Sequence, residues 1–340
     1  MGETVNIAQM AVLASTEIFS VFGWEQQSLS DQNFDCVETE KHRKIKAKWK
    51  KHPTDTVLKY VDPYQGVDIY LNTDLKSYAK GTLDTANLIG TLRSLSRTTE
   101  CANKSPEWKN LFVDQTRNHE VIGLLFIYNH DGEYDKDFNK QLASLAPSQI
   151  QLSPGYMVGV IGPKRVIYLN SIAKDIKSLH SDGNLPGKEG RYFYFPHLNR
   201  AAAVRQESPS ASLHALLGPL LVIGYNFPDR PLAQRRGFYV YYDGAGESVA
   251  EFKYLLDYFF KYQIAAEHTS ITVSMVFAHE AAHPTFDAAK REFSRDYWPV
   301  ANTSQNEFEM VINNIKFRHV QNVVQRFSQR DIGMKERNLD

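Results

Sequence analysis

The chain has 340 residues, 39 Lys or Arg against 39 Asp or Glu, and a hydrophobic fraction of 42%. That length points to two domains, the composition is that of a globular protein rather than a disordered one, and zero net charge removes whole-molecule attraction to nucleic acid while leaving room for local basic patches. Cys36 and Cys101 are too few for a disulfide framework or a Cys-rich zinc site, so a reducing cytoplasm is the expected setting.

The opening MGETVNIAQM carries an acid near its start, unlike a secretory signal. No stretch approaches the roughly 18 to 20 apolar residues of a membrane span. Residues 7–22 read as a largely apolar helix that Gly23 can end. From Lys41 to Lys51 come seven Lys or Arg and no acid. Residues 56–61 favour a strand, Asp62-Pro63-Tyr64-Gln65-Gly66 is turn chemistry, and Val67 to Ser77 largely alternates, so a β-hairpin is expected. Thr85 to Leu95 reads as a helix, and Lys104-Ser105-Pro106 as a domain seam.

Beyond that seam Glu120 to Asn129 reads as a buried strand leading into a helix near 135–145. Tyr156 to Leu169 reads as a strand pair turning at Gly162-Pro163-Lys164, and 172–179 as a short helix. Gly237 to Tyr242 is a strand followed by a helix over 248–262, Ile271 to Phe277 a further strand, then a helix near 285–293 and a last one over about 305–327. The division expected is 1–105 and 106–340, both α/β, the second the larger.

Chemistry concentrates in the hairpin. Strand alternation puts Asp68, Tyr70, Asn72, Asp74 and Lys76 on one face, and Val67, Ile69, Leu71, Thr73 and Leu75 on the other, the expected core face. Eighteen residues lie between Asp55 and Asp74, the length at which a hairpin folds its start back beside its end. Asp55, Asp74 and Lys76 can therefore converge. Two carboxylates suit Mg²⁺, a hard cation that prefers oxygen, and an adjacent lysine can orient a water and offset negative charge. Asp62 and Asp68 compete as acids, but both belong to the turn end.

This arrangement resembles the PD-(D/E)XK nuclease superfamily. Thr54-Asp55 matches its first acid, with Thr54 where the family pattern has Pro, and Asp74-Leu75-Lys76 matches its D-x-K. The resemblance covers roughly residues 7–100 and implies a restriction-endonuclease-like N-terminal core in which Asp55 and Asp74 hold Mg²⁺ or Mn²⁺. It further implies Lys76 beside the attacking water and Glu17, in the first helix, as a helper at the metal. Lys41, Arg43, Lys44, Lys46, Lys48, Lys50 and Lys51 are then candidates to grip the phosphates of DNA or RNA. By analogy it implies an effector in phage defence or restriction, working as a homo-oligomer or with a second defence protein, and no membrane.

Two alternatives stand beside it. One is a non-catalytic nucleic-acid or protein-binding subunit with a degenerate nuclease core. The other is a zinc peptidase through His279-Glu280-Ala281-Ala282-His283, with Glu307 as third ligand. Pro284 and the β-branched run before His279 count against a helix holding both histidines. Gly244-Ala245-Gly246 before a helix is a weak anion-binding signal.

Overall fold

The computed structural model describes residues 15–42, 51–196, 207–297 and 304–323. The chain divides into two compact units, Met1–Asn170 with Val323–Asp340, and Ser171–Asn322.

The first unit is built on a five-stranded sheet in the order β1 (Glu25–Asp35), β2 (Lys51–Val61), β3 (Asp68–Tyr78), β4 (His119–Asn129), β5 (Val158–Ile161). The β1–β2 and β2–β3 pairs are antiparallel, and β3–β4 and β4–β5 parallel. A helical turn at 15–19, α1, precedes β1, and Gly23 closes the following turns with φ +77°, the left-handed conformation that glycine adopts without strain. The parallel β3–β4 crossover carries α2 (Thr85–Lys104) and α3 (Pro106–Phe112).

Asp84 caps α2 by accepting from the Asn87 N–H at 2.8 Å. Leu88, Leu92 and Leu95 follow at three- and four-residue spacing and pack on Leu125 and Ile127 of β4, each stabilising by about 1.5 to 3 kcal/mol. Gly123 lets the helix come close, because a Cβ there would strike Thr99 Oγ1. The opposite face of the sheet is covered by α1, where Phe19 stacks on Trp24 and meets Phe126, and Trp24 stacks on Tyr60. Two short helices, α4 (Phe138–Ala143) and α5 (Pro147–Ile150), lead to β5.

Several expectations change here. Lys104-Ser105-Pro106 is a corner between two helices, not a seam. The Ser105 N–H donates to Cys101 O and its side chain accepts from the Trp108 N–H. The boundary at 105/106 therefore falls inside the first unit, and the second unit is the shorter one. Both faces of β3 are buried, with Asp68 at 0% and Asn72 at 1% exposure, because the strand is central and helices cover both sides. Pro163 does not turn a strand pair but begins α6 (Pro163–Ser181), where its missing N–H costs nothing.

The second unit holds a six-stranded sheet. Its strands are β6 (Arg191–Tyr194), β7 (Glu207–Ser208), β8 (Leu220–Asn226), β9 (Arg236–Tyr242), β10 (Thr269–Met275) and β11 (Ile315–His319), in the order β11-β10-β9-β8-β6-β7. The β9–β10 and β10–β11 pairs are parallel. Short helices α7 (Leu213–Leu217) and α8 (Leu232–Arg235) flank β8. Further helices are α9 (Val249–Lys261), α10 (Ala282–Tyr297) and α11 (Gln305–Asn313), whose Phe252, Phe259, Phe286, Phe293 and Phe308 join one apolar core with the sheet. The long last helix expected over 305–327 ends at Asn313. Ile315 to His319 instead form a parallel strand on β10, with Ile315 and Phe317 packed in that core.

Candidate active site

The β2–β3 ladder ends at the pair Thr56–Thr73, while β2 stays paired with β1 back to Lys51. Thr54 and Val57 both face α3: the Thr54 hydroxyl accepts from Trp108 Nε1 at 3.3 Å, and Val57 shares a core with Trp108. Residues three apart lie on opposite faces of a regular strand, so β2 twists between them as it parts from β3. Asp55 stands in that twist. Its Oδ2 accepts the Leu75 N–H at 2.8 Å, a side chain replacing the strand partner that β3 has lost.

Asp74 and Lys76 face α2 in the same opening. A cleft of about 270 Å³ is lined by Asp55, Asn72, Asp74 and Lys76 from the strands and by Thr91, Ser94 and Thr98 from the helix, among others. The Lys76 ammonium donates to the Asp74 carboxylate. Burial, with the charge of Asp55 and a hydrogen bond to it, pushes the Asp74 carboxyl up to about 6, although Lys76 pulls the other way. Burial pulls the Lys76 ammonium down, but the Asp74 charge and hydrogen bond outweigh it and hold the group above its ordinary value. Two carboxylates crowded in a half-buried cleft, one of them reluctant to ionise, are a donor set that a divalent cation would satisfy.

The competing acids are spent. The Asp62 carboxylate closes the hairpin by accepting the Tyr64 and Gln65 N–H groups at 2.9 and 2.8 Å. Asp68 is wholly buried between Lys59 at 2.9 Å and Arg117 at 3.2 Å. Thr54, standing where the superfamily pattern has Pro, donates to Asn72 Oδ1 at 2.9 Å and so ties β2 to β3 below the cleft.

The structure does not bring Glu17 to this group. Its helix lies on the other face of the sheet, where its carboxylate, after burial, helps raise the Tyr128 phenol. Lys41 is taken by Glu100 Oε1 and Oε2 at 2.6 and 2.8 Å and by Ser153 at 2.8 Å, and Lys51 stands 4.0 Å from Asp35. Arg43, Lys44, Lys46, Lys48 and Lys50 lie outside the described residues. The helical wall of the cleft was not anticipated. Its signal was present in Gly90, Ser94 and Thr98, small or hydroxylic residues at four-residue spacing, which form one stripe along α2.

His279 and His283 share no helix. His279 lies in a loop, its backbone N–H bound to Ala245 O at 2.8 Å, and α10 begins only at Ala282. Glu307 caps α11 by accepting from the Ser304 N–H and hydroxyl. The Gly246 and Glu247 N–H groups are already bound by the Glu251 carboxylate at 3.0 and 3.2 Å, which fills the candidate anion site from within the chain.

An α1–β1–β2–β3–α2–β4 order, with one acid where β2 leaves β3 and D-x-K on β3, defines the PD-(D/E)XK type of nuclease core. Residues 1–165 match the family model described as GAPS4 protein PD-(D/E)XK nuclease domain. No curated protein and no solved structure matches the chain. Among the described residues, no helix is long and apolar enough to cross a membrane.

Proposed function

We propose that the protein is a Mg²⁺- or Mn²⁺-dependent endonuclease that hydrolyses phosphodiester bonds of DNA, with RNA as a second substrate, in anti-phage defence or restriction in the cytoplasm. The observation that carries this reading is the meeting of Asp55, Asp74 and Lys76 in one cleft at the split between β2 and β3. Asp55 and Asp74 hold the cation. Once bound, it supplies polarisation of the scissile phosphate and a lowered pKa for a bound water. Asp55, with Oδ2 fixed on the Leu75 N–H, and Asp74, held in register with Leu125 of β4, would give the ligands a rigid base. Lys76, which in the structure donates to Asp74, would orient the attacking water and offset the negative charge that develops on the phosphoryl oxygens. The Lys41–Lys51 segment contributes phosphate contacts, and the second unit serves oligomerisation, regulation or a second defence protein.

Supercoiled plasmid and labelled RNA, each incubated with and without Mg²⁺ or Mn²⁺, test this. Cleavage that needs the cation and vanishes in Asp74→Ala and Lys76→Ala is the expected result. Binding that survives both substitutions, with no cation-dependent cleavage by the wild type on either substrate, would overturn it in favour of a non-catalytic binding subunit.

A further inference from the structure

A second group of metal-ligand side chains lies in the first unit, away from the carboxylates. Cys36 follows β1, His42 stands in the turn after it, His52 opens β2 and Cys101 sits on α2. All four are buried, between 0% and 7% exposed. One ligand atom from each lies within 4.8 Å of the others. The Cys36 and Cys101 sulfurs are 3.7 Å apart, and His42 Nδ1 is 3.4 Å from each of them. Around a tetrahedral zinc ion, with Zn–S about 2.3 Å and Zn–N about 2.0 Å, sulfur–sulfur edges come to about 3.8 Å and sulfur–nitrogen edges to about 3.5 Å. The expectation of no Cys-rich zinc site did not weigh the two histidines that stand beside the cysteines.

We propose that Cys36, His42, His52 and Cys101 form a structural zinc site. Four protein ligands close the coordination sphere, which leaves no open position for chemistry and separates this centre from the hard-cation cleft. The surrounding groups are those that tune such an ion. Glu100 Oε2 lies 3.5 Å from His42 Nε2, the carboxylate–histidine pairing that orients a ligating imidazole. Thr98 Oγ1 lies 3.4 Å from His52 Nδ1, which leaves Nε2 as that ring's ligand atom. Backbone N–H groups of Val37 and Glu38 donate to the Cys101 sulfur and favour its thiolate. Burial keeps both imidazoles neutral, the form that binds metal, with His52 lowered to about 4. The Cys101 thiol, pushed up to about 12 chiefly by burial, ionises only if a cation joins it.

The site has a mechanical consequence. His52 lies three residues before Asp55 on β2, and Cys101 lies three residues beyond Thr98 on the cleft-lining helix. An ion here ties the start of β2 to α2, the two walls between which the cleft opens. His42 and His52 also flank the stretch from Arg43 to Lys51 in the sequence.

Elemental analysis of the full chain, expressed in zinc-supplemented medium and dialysed against a chelator, tests the assignment. About one tightly held zinc per chain is expected, retained in Asp74→Ala, so that a contaminant in the carboxylate cleft is told apart. A thiol-blocking mercurial should release it, and refolding with Co²⁺ should give tetrahedral ligand-field bands with thiolate-to-cobalt charge transfer. His42→Ala should lose the ion and His42→Cys, a donor zinc accepts, should regain it; should both fail to fold, the wild-type release and cobalt spectra still decide. Metal-free protein with two freely titrating thiols would overturn the proposal, as would a Cys36–Cys101 disulfide in the native chain. The result does not depend on whether the cleft cuts nucleic acid.

Discussion

The two units of this protein use the same materials and treat their polar groups in opposite ways. Among the described residues of the second unit, a candidate anion site and a part-buried carboxylate are each met by partners from the same unit. The Glu251 carboxylate fills the turn at Gly246. Asp175 accepts from Tyr241 Oη at 2.6 Å and from Arg318 Nη1 at 2.8 Å, and Arg318 Nε donates to Ser274 Oγ at 2.9 Å. In the first unit Asp55, Asp74 and Lys76 meet in a cleft with two negative charges for one positive. Saturated polar groups contribute to stability, whereas an unbalanced cluster costs stability and is available for an external ion.

The sharpest way to break this contrast is substitution on its two sides. Asp74→Ala should lower cation-dependent cleavage by about 10²- to 10³-fold or more while leaving the thermal midpoint of the cation-free protein unchanged or raised. A clear fall in that midpoint would move Asp74 to the structural side.

The pH dependence sharpens it next. Because Asp74 titrates near 6 in the folded chain against an ordinary value of 3.8, the folded form binds that proton more tightly. Its contribution to stability is fully present below about pH 4 and is lost as pH rises through about 6. Cation affinity should follow the reverse course, rising through pH 6 as the carboxylate becomes free to ligate. Calorimetric Mn²⁺ titrations from pH 5 to 8 would show this, and an affinity flat across that range would contradict it.

In the second unit, Arg318→Ala strands the part-buried Asp175 carboxylate and should cost about 2 to 3 kcal/mol in denaturant unfolding. Glu251→Ala leaves the Gly246 and Glu247 N–H groups without their acceptor and should cost about 1 to 2 kcal/mol. The smallest effect is expected from His279→Ala with His283→Ala, within about 0.5 kcal/mol, with zinc content and cleavage both unchanged. Loss of bound zinc in that double variant would revive the peptidase reading.

Much of the first unit could be read along the chain. The hairpin, its turn at Asp62–Gly66, the start of α2 at Thr85 and the D-x-K on β3 all rest on local signals, chiefly alternation and turn residues. What escaped was non-local. β1 is an edge strand with the polar sequence EQQSLSDQNFD, so it carries no apolar alternation. Asp68 and Asp74 fall on one face by parity, yet one is neutralised by Lys59 and Arg117 while the other faces the cleft. Glu17 sits in the helix where the resemblance places a helper acid, but that helix packs on the far side of the sheet.

The sequence alone determined which segments become strands and helices around the site, and which residue types could hold a hard cation, because backbone propensity and side-chain chemistry are properties of a few neighbouring residues. Only the tertiary structure decided which acids meet. The parting of β2 from β3 turns Asp55 toward Asp74, and α2 closes over both. The same packing gathers Cys36, His42, His52 and Cys101 from positions up to 65 residues apart. Such convergence depends on contacts between distant segments, and no local pattern of residues encodes them.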